Sequence, residues 1–194
     1  MKVVFVYPDL LEGAAWRGYY YSGIGILAAV LKAAGHGAAL LHVTQPVGRE
    51  AFLERLEALL PQEGPRLVGF SITSNMLPFL AEWSGWVKER WPDAWVSAGG
   101  VHPTLVPEET LALRGVDIVC IGEGEGAVLE LAGALEAGRP PAGTRNLWWK
   151  QPDGTVERNP LRPLVDLDTL PFPDREIYDY PHLHHERHGE ATMM

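Results

Sequence analysis

Residues 66–104 read RLVGFSITSNMLPFLAEWSGWVKERWPDAWVSAGGVHPT, and their pattern decides the fold. Arg66–Ile72 is a short, mostly apolar run with Gly64 and Pro65 just upstream, as expected of a buried strand. Pro78 suits the first turn of a helix, where its missing N–H has no partner to lose. Leu80, Trp83, Trp86 and Val87 then face the sheet before the stop at Pro92. Ala94–Ala98 is a second apolar run, closed by Gly99 and Gly100. A strand, a helix long enough to cross back and another strand are what parallel pairing requires.

The alternation continues outward on both sides. Upstream, Lys2–Tyr7 and Ala38–Val43 read as strands. Ile24, Leu27, Ala28 and Leu31 mark a helix over about Ser22 to Ala34, and Phe52, Leu53, Leu56 and Leu60 mark another from Arg49 to Leu60. Downstream, Gly99–Val106 reads as a loop, Glu108–Leu113 as a short helix, Val116–Ile121 as a strand and Glu125–Glu136 as a final helix before Gly138. Residues 1–140 are thus expected to form a Rossmann-like α/β domain: a five-stranded parallel sheet, most simply in the flavodoxin-like order 2-1-3-4-5, with helices on both faces. Ligands of such sheets bind beyond the carboxyl ends of the strands. That rule singles out Pro8–Tyr21, Ser71–Asn75, Gly99–Val106 and Gly122–Gly126.

Residues 141–194 change character. Asn146–Lys150 and Thr155–Arg158 flank Gln151-Pro-Asp-Gly154, a hairpin turn. The stretch LVDLDTLPFPDREIYDYP has no helical period and reads as an extended connector. The closing HLHHERHGEATMM carries no packing signal, so the gene product is expected to continue past Met194. His182, His184, His185 and His188 lack regular ligand spacing and read as a solvated tail.

A formal net charge of −9 without clustered Lys or Arg excludes a nucleic-acid surface. No apolar window approaches a membrane span, and the opening MKVVFV stops at Pro8 and Asp9 as a strand would, not as a signal peptide. A cytoplasmic location is expected. The single cysteine, Cys120, excludes an internal disulfide, cannot hold an iron–sulfur cluster alone and reads as a small buried hydrophobe.

The opening PDL…YYYSGIGILAAVLKAAGH, GFSITSN after the third strand, SAGGVHPT after the fourth and IGEGE after the fifth stand in order at the ligand edge. Together with the connector LDTLPFPDRE they resemble the N-terminal cobalamin-binding domain of cobalamin-dependent radical S-adenosylmethionine (SAM) enzymes. The resemblance implies a groove for the nucleotide tail of cobalamin. By that resemblance Ser71 is expected to hydrogen-bond the benzimidazole of the tail, with Ile72, Thr73 and Ser74 beside it, the alternative being that Ser71 and Thr73 cap the next helix. Gly99 and Gly100 allow close backbone approach, or else form a tight turn. Val101 and His102 follow in the same loop, and Gly122, Glu123, Gly124 and Glu125 flank the tail and ribose.

Trp16, Tyr19, Tyr20 and Tyr21 form an aromatic group, with Trp16 and Tyr20 assigned to the corrin; packing on the connector is the alternative. On this reading Gly100→Val would block the groove and leave the fold intact, and Ser71→Ala would cost about 1 kcal/mol of affinity.

The resemblance also implies what is missing. The D-x-H-x-x-G motif that supplies the lower cobalt ligand in the wider fold is replaced by Asp9-Leu-Leu-Glu-Gly13, so no residue is assigned as a metal ligand. The expectation is cobalamin bound base-off. His102 positions its loop, with ligation as the alternative. A [4Fe-4S] cluster and SAM would belong to a radical SAM domain beyond this chain, which would not be catalytic alone, in a parent enzyme such as a methyltransferase. A non-catalytic cobalamin sensor or carrier is the competing reading. A phosphoreceiver would need an Asp where Ser71 stands, and a flavodoxin-like electron carrier a phosphate loop that Pro8–Tyr21 does not supply.

Overall fold

The computed structural model describes residues 1–10 and 20–178. Strands and helices alternate: β1 (Lys2–Pro8), α1 (Ser22–Ala33), β2 (Gly37–Val43), α2 (Arg49–Leu59), β3 (Leu67–Ser71), α3 (Leu77–Arg90), β4 (Trp95–Gly99), α4 (Val101–Leu105), α5 (Pro107–Ala112), β5 (Ile118–Cys120) and α6 (Glu125–Glu136). These are followed by β6 (Leu147–Lys150) and β7 (Val156–Arg158). The first five strands pair in parallel in the expected order β2-β1-β3-β4-β5.

The hairpin is not an appendage to this sheet. β6 pairs antiparallel with β5, Ile118 opposite Trp149, and β7 completes a seven-stranded sheet. The apolar alternation of Leu147 and Trp149 explains it. Both are buried on the same side as Ile118, so the hairpin protects an edge that β5 would otherwise expose.

Strand residues divide by parity between two faces. Val4, Val6, Val68, Phe70, Val96, Ala98 and Val119 pack with α2 and α3, where Phe52 and Trp83 are fully buried with ring centroids 4.8 Å apart. Val3, Phe5, Leu67 and Ile118 face the other way, toward α1 and α6, which lie side by side.

Two departures from the sequence reading lie at the ligand edge. The segment after Gly100 is the helix α4 and not a loop. It tolerates Pro103 because that residue falls in the first turn, and the Thr104 hydroxyl donates to Gly100 O at 2.8 Å. The connector, moreover, is fastened to the domain along its length. Arg162 pairs with Glu130, Val165 N donates to the Glu123 carboxylate at 2.8 Å, Asp174 N donates to Gly25 O at 2.9 Å, and Tyr178 is buried against Tyr21. The histidine-rich tail lies outside the described residues.

Candidate cofactor-binding groove

On the α1/α6 face the sheet is filled at the amino ends of its strands and hollow at the carboxyl ends. Leu67, Trp95 and Ile118 fill the first positions; farther along the same face come Gly69 and Ser71, Ser97 and Gly99, and Cys120. The register places Gly69 opposite Ser97 and Ser71 opposite Gly99, so the small residues form one continuous floor. Phe5, Leu27, Val128 and Leu131 wall it between α1 and α6. The result is a cavity of about 230 Å³ that opens at the ligand edge. A dry apolar cavity of about 150 Å³ accepts one benzene ring; this one suits a fused aromatic pair better than a corrin.

The two expected glycines differ. A Cβ on Gly99 would meet only the Cys120 Cβ, at the ordinary distance of 3.6 Å, and otherwise open space. Gly100 has φ +107°, and a Cβ there would lie 2.5 Å from Ile72 O. Its glycine is demanded by backbone conformation and by the closely passing β3 loop. The expectation that Gly100→Val would spare the fold is therefore corrected: the clash is with main chain, which cannot move aside as a side chain tip can.

Ser71, Gly122, Glu123, Gly124 and Glu125 also line the groove. Ser71 ends β3 and does not cap the following turn, whose N-cap position is Thr73. One carboxylate oxygen of Glu125, Oε2, is buried without a hydrogen-bond partner, and a hydroxyl or amide donor entering the groove would satisfy it. Cys120 is half-buried in the groove lining, and burial, with the nearby Glu125 charge adding to it, pushes its thiol up to about 12. It is inert as a nucleophile at neutral pH.

Of the remaining expected residues, Ile72, Thr73, Ser74, Val101, His102 and Tyr20 are not in the groove lining. Ile72 points to the α2/α3 core at 1% exposure. Thr73 hydrogen-bonds Asn75, and Ser74 Oγ lies 3.1 Å from His102 Nδ1, so His102 ties α4 to the β3 loop. Val101 is exposed. Tyr21 lines the groove, whereas Tyr20 packs edge-on against Tyr178 of the connector, 5.1 Å between centroids. Trp16 and Tyr19 lie outside the described residues.

Sequence reading missed Gly69, Ser97, Phe5 and Leu27, although the signal for the first two was present. Along LVGFS and WVSAG every second residue shrinks toward the carboxyl end while its neighbours stay apolar. A further feature, the Asp9–His42 pair at 3.1 Å, is buried beneath Tyr7 and Tyr178 and does not line the groove. Among the described residues no cluster of His, Cys, Asp and Glu could hold a metal ion, and no helix is long and apolar enough to cross a membrane.

Known proteins resemble this one in the same region. An uncharacterized methyltransferase of Pyrococcus horikoshii is 32% identical over 115 residues, 58% of this chain and 25% of its own length. The cytidylyl-2-hydroxyethylphosphonate methyltransferase of Streptomyces wedmorensis is 29% identical, across 92% of this chain and 40% of its own. The chain thus spans well under half the length of these relatives. Among solved structures, the cobalamin-dependent SAM radical enzyme OxsB with aqua-cobalamin and SAM bound superposes with a TM-score of 0.76 at 16% identity, over 91% of this chain and 24% of that one. The radical SAM methyltransferase TsrM from Kitasatospora setae, with cobalamin and [4Fe-4S] cluster bound, gives 0.68 at 22%, over 82% and 30%. At those identities the likeness is one of fold. The family model described as B12 binding domain matches residues 19–132, more than half of the chain, and this protein therefore belongs to the B12-binding-domain family.

Proposed function

We propose that the hollow on the α1/α6 face receives the benzimidazole and ribose of cobalamin, base-off, with Ser71 donating to the ring nitrogen, Gly99 giving the tail backbone approach and Glu125 accepting from the sugar. The observation that carries this is the floor of small residues, Gly69, Ser71, Ser97, Gly99 and Cys120, between apolar walls, where larger side chains would leave no cavity. No histidine lines that cavity. His42 Nε2 faces Asp9 and His102 Nδ1 faces Ser74, each leaving its second ring nitrogen buried without a partner and outside the cavity lining, and positions 11–13 supply no histidine. On this reading none of the described residues serves as an axial ligand to cobalt. Lacking that ligand changes the relative stability of the cobalt oxidation states, which suits methyl transfer.

The chain acts as the cofactor domain of a longer radical SAM enzyme, methyltransferase-like, whose [4Fe-4S] cluster and SAM sites lie in other parts of the parent protein. Leu164 and Phe172 of the connector, 85% and 96% exposed while the backbone around them is fastened down, are apolar surface suited to cover by the rest of such a protein. Loading with hydroxocobalamin followed by reduction tests the reading. The expected result is a base-off absorption spectrum and a cobalt(II) electron paramagnetic resonance signal without nitrogen hyperfine splitting from the lower side. A base-on spectrum, failure to retain the cofactor on gel filtration, or triplet splitting that disappears in His102→Ala would overturn it.

A further inference from the structure

We infer that Asn146, at the start of the hairpin and outside the five-unit core, is a positioning residue for the groove: it sets the Gly122–Glu125 loop and couples that loop to the connector. The inference rests on the cofactor reading above. Asn146 is 2% exposed and, with φ +71°, is the one non-glycine residue of left-handed backbone among the described residues. Such a conformation is held only where surrounding contacts enforce it, and all of its polar groups are engaged. The side-chain Nδ2 donates to Ile121 O at 2.8 Å and to Glu123 O at 3.1 Å, while Oδ1 accepts from Arg162 N at 2.7 Å. The backbone N–H donates to Pro160 O at 3.0 Å and the carbonyl accepts from Ile121 N at 2.8 Å. One residue thus joins the end of β5, the groove loop and two points of the connector.

The loop it grips is held at its two sides by α4 and by the connector. Gly122 sits at φ +73°, with the site of its missing Cβ 3.6 Å from Asn146 Nδ2, and its N–H donates to Thr104 Oγ1 at 3.0 Å. Thr104 in turn donates to Gly100 O, so both glycine loops at the groove mouth belong to one hydrogen-bonded chain. From the far side the Glu123 carboxylate accepts from Val165 N, and Arg162 covers Gly126, where a Cβ would collide with the guanidinium. A shift of the connector would therefore move a wall of the groove.

Asn146→Gly permits the left-handed backbone and deletes the three side-chain bonds; Asn146→Asp keeps the acceptor for Arg162 and removes the donors to Ile121 and Glu123. Two readings are taken on folded protein, confirmed by near-ultraviolet circular dichroism: hydroxocobalamin affinity by absorbance titration, and amide exchange across residues 122–126 without cofactor. Both variants are expected to bind about 10-fold more weakly and to exchange faster in that loop. Unchanged exchange, or unchanged affinity in a protein whose parent binds, would overturn the inference. A residue of merely structural importance would lower the melting temperature without changing the affinity of the folded fraction. If the parent itself fails to bind hydroxocobalamin, the cofactor reading fails, and the exchange measurement alone still decides whether Asn146 sets the loop.

Discussion

The two faces of the sheet are made by the same strands and built for opposite ends. Toward α2 and α3, Val68, Phe70, Val96 and Ala98 run filled from end to end against Phe52 and Trp83. Toward α1 and α6, the intervening residues shrink to Gly69, Ser71, Ser97 and Gly99 over the carboxyl halves of β3 and β4. A β-strand can do this because its side-chain period is two, so one sequence carries two independent surfaces. The packed face supplies stability that the hollow face forgoes. A cavity lined by apolar side chains forfeits their contacts, at about 24 cal/mol per Å³ in cores where the volume was once filled.

That division predicts separable mutational effects. On the packed face, Trp83→Ala should lower unfolding free energy by about 3–5 kcal/mol, since it empties an aromatic site touching Phe52 and Phe79. Urea titration measures the loss, and cofactor affinity of the folded fraction should hardly change. On the hollow face, Gly99→Val should do the reverse. Its Cβ has ordinary room, but the branched methyls enter the groove, so hydroxocobalamin binding should fall about 100-fold, equivalent to about 2.7 kcal/mol, with the apo melting temperature nearly kept. Gly100→Val is the contrasting control, in which the melt should collapse first. Equal behaviour of the two valine variants would break the comparison.

The smallest effect lies in the groove floor itself, at Cys120. The Cys120 thiol is raised from 9.0 to about 12 by burial, so the folded state holds this proton more tightly than the unfolded chain. Its contribution to stability is full below about pH 9 and is lost as pH rises toward 12, by up to about 1.4 kcal/mol per unit. Tyr7, raised from 10.0 to about 12 chiefly by burial, adds the same sign only above pH 10. Urea unfolding between pH 9 and 10 should therefore fall more steeply for the parent than for Cys120→Ala. Parallel curves would mean that water in the groove reaches the thiol.

Much of this was legible from residue order. The apolar periods, Pro78 and the glycines at strand ends place every strand and most helices, because burial on a sheet and on a helix leaves different repeats in the sequence. Ser71, Gly99 and the Gly122–Glu125 loop, expected at the ligand edge from their place after the strands, do line the groove. The hairpin segments were also visible, but not their pairing with β5, because an antiparallel edge contact hundreds of atoms away leaves no local period. Asn146 was likewise silent, its role residing in bonds to Ile121, Glu123 and Arg162 that only the fold brings together.

Adjacent glycines mark the limit most sharply. Sequence determined that two residues without side chains close β4, and so that backbone would be exposed there. Both line the groove, but which of them has room for a side chain and which must stay a glycine was decided by tertiary structure. That answer depends on the main chain of Ile72, which the fold brings 2.5 Å from one absent Cβ and nowhere near the other.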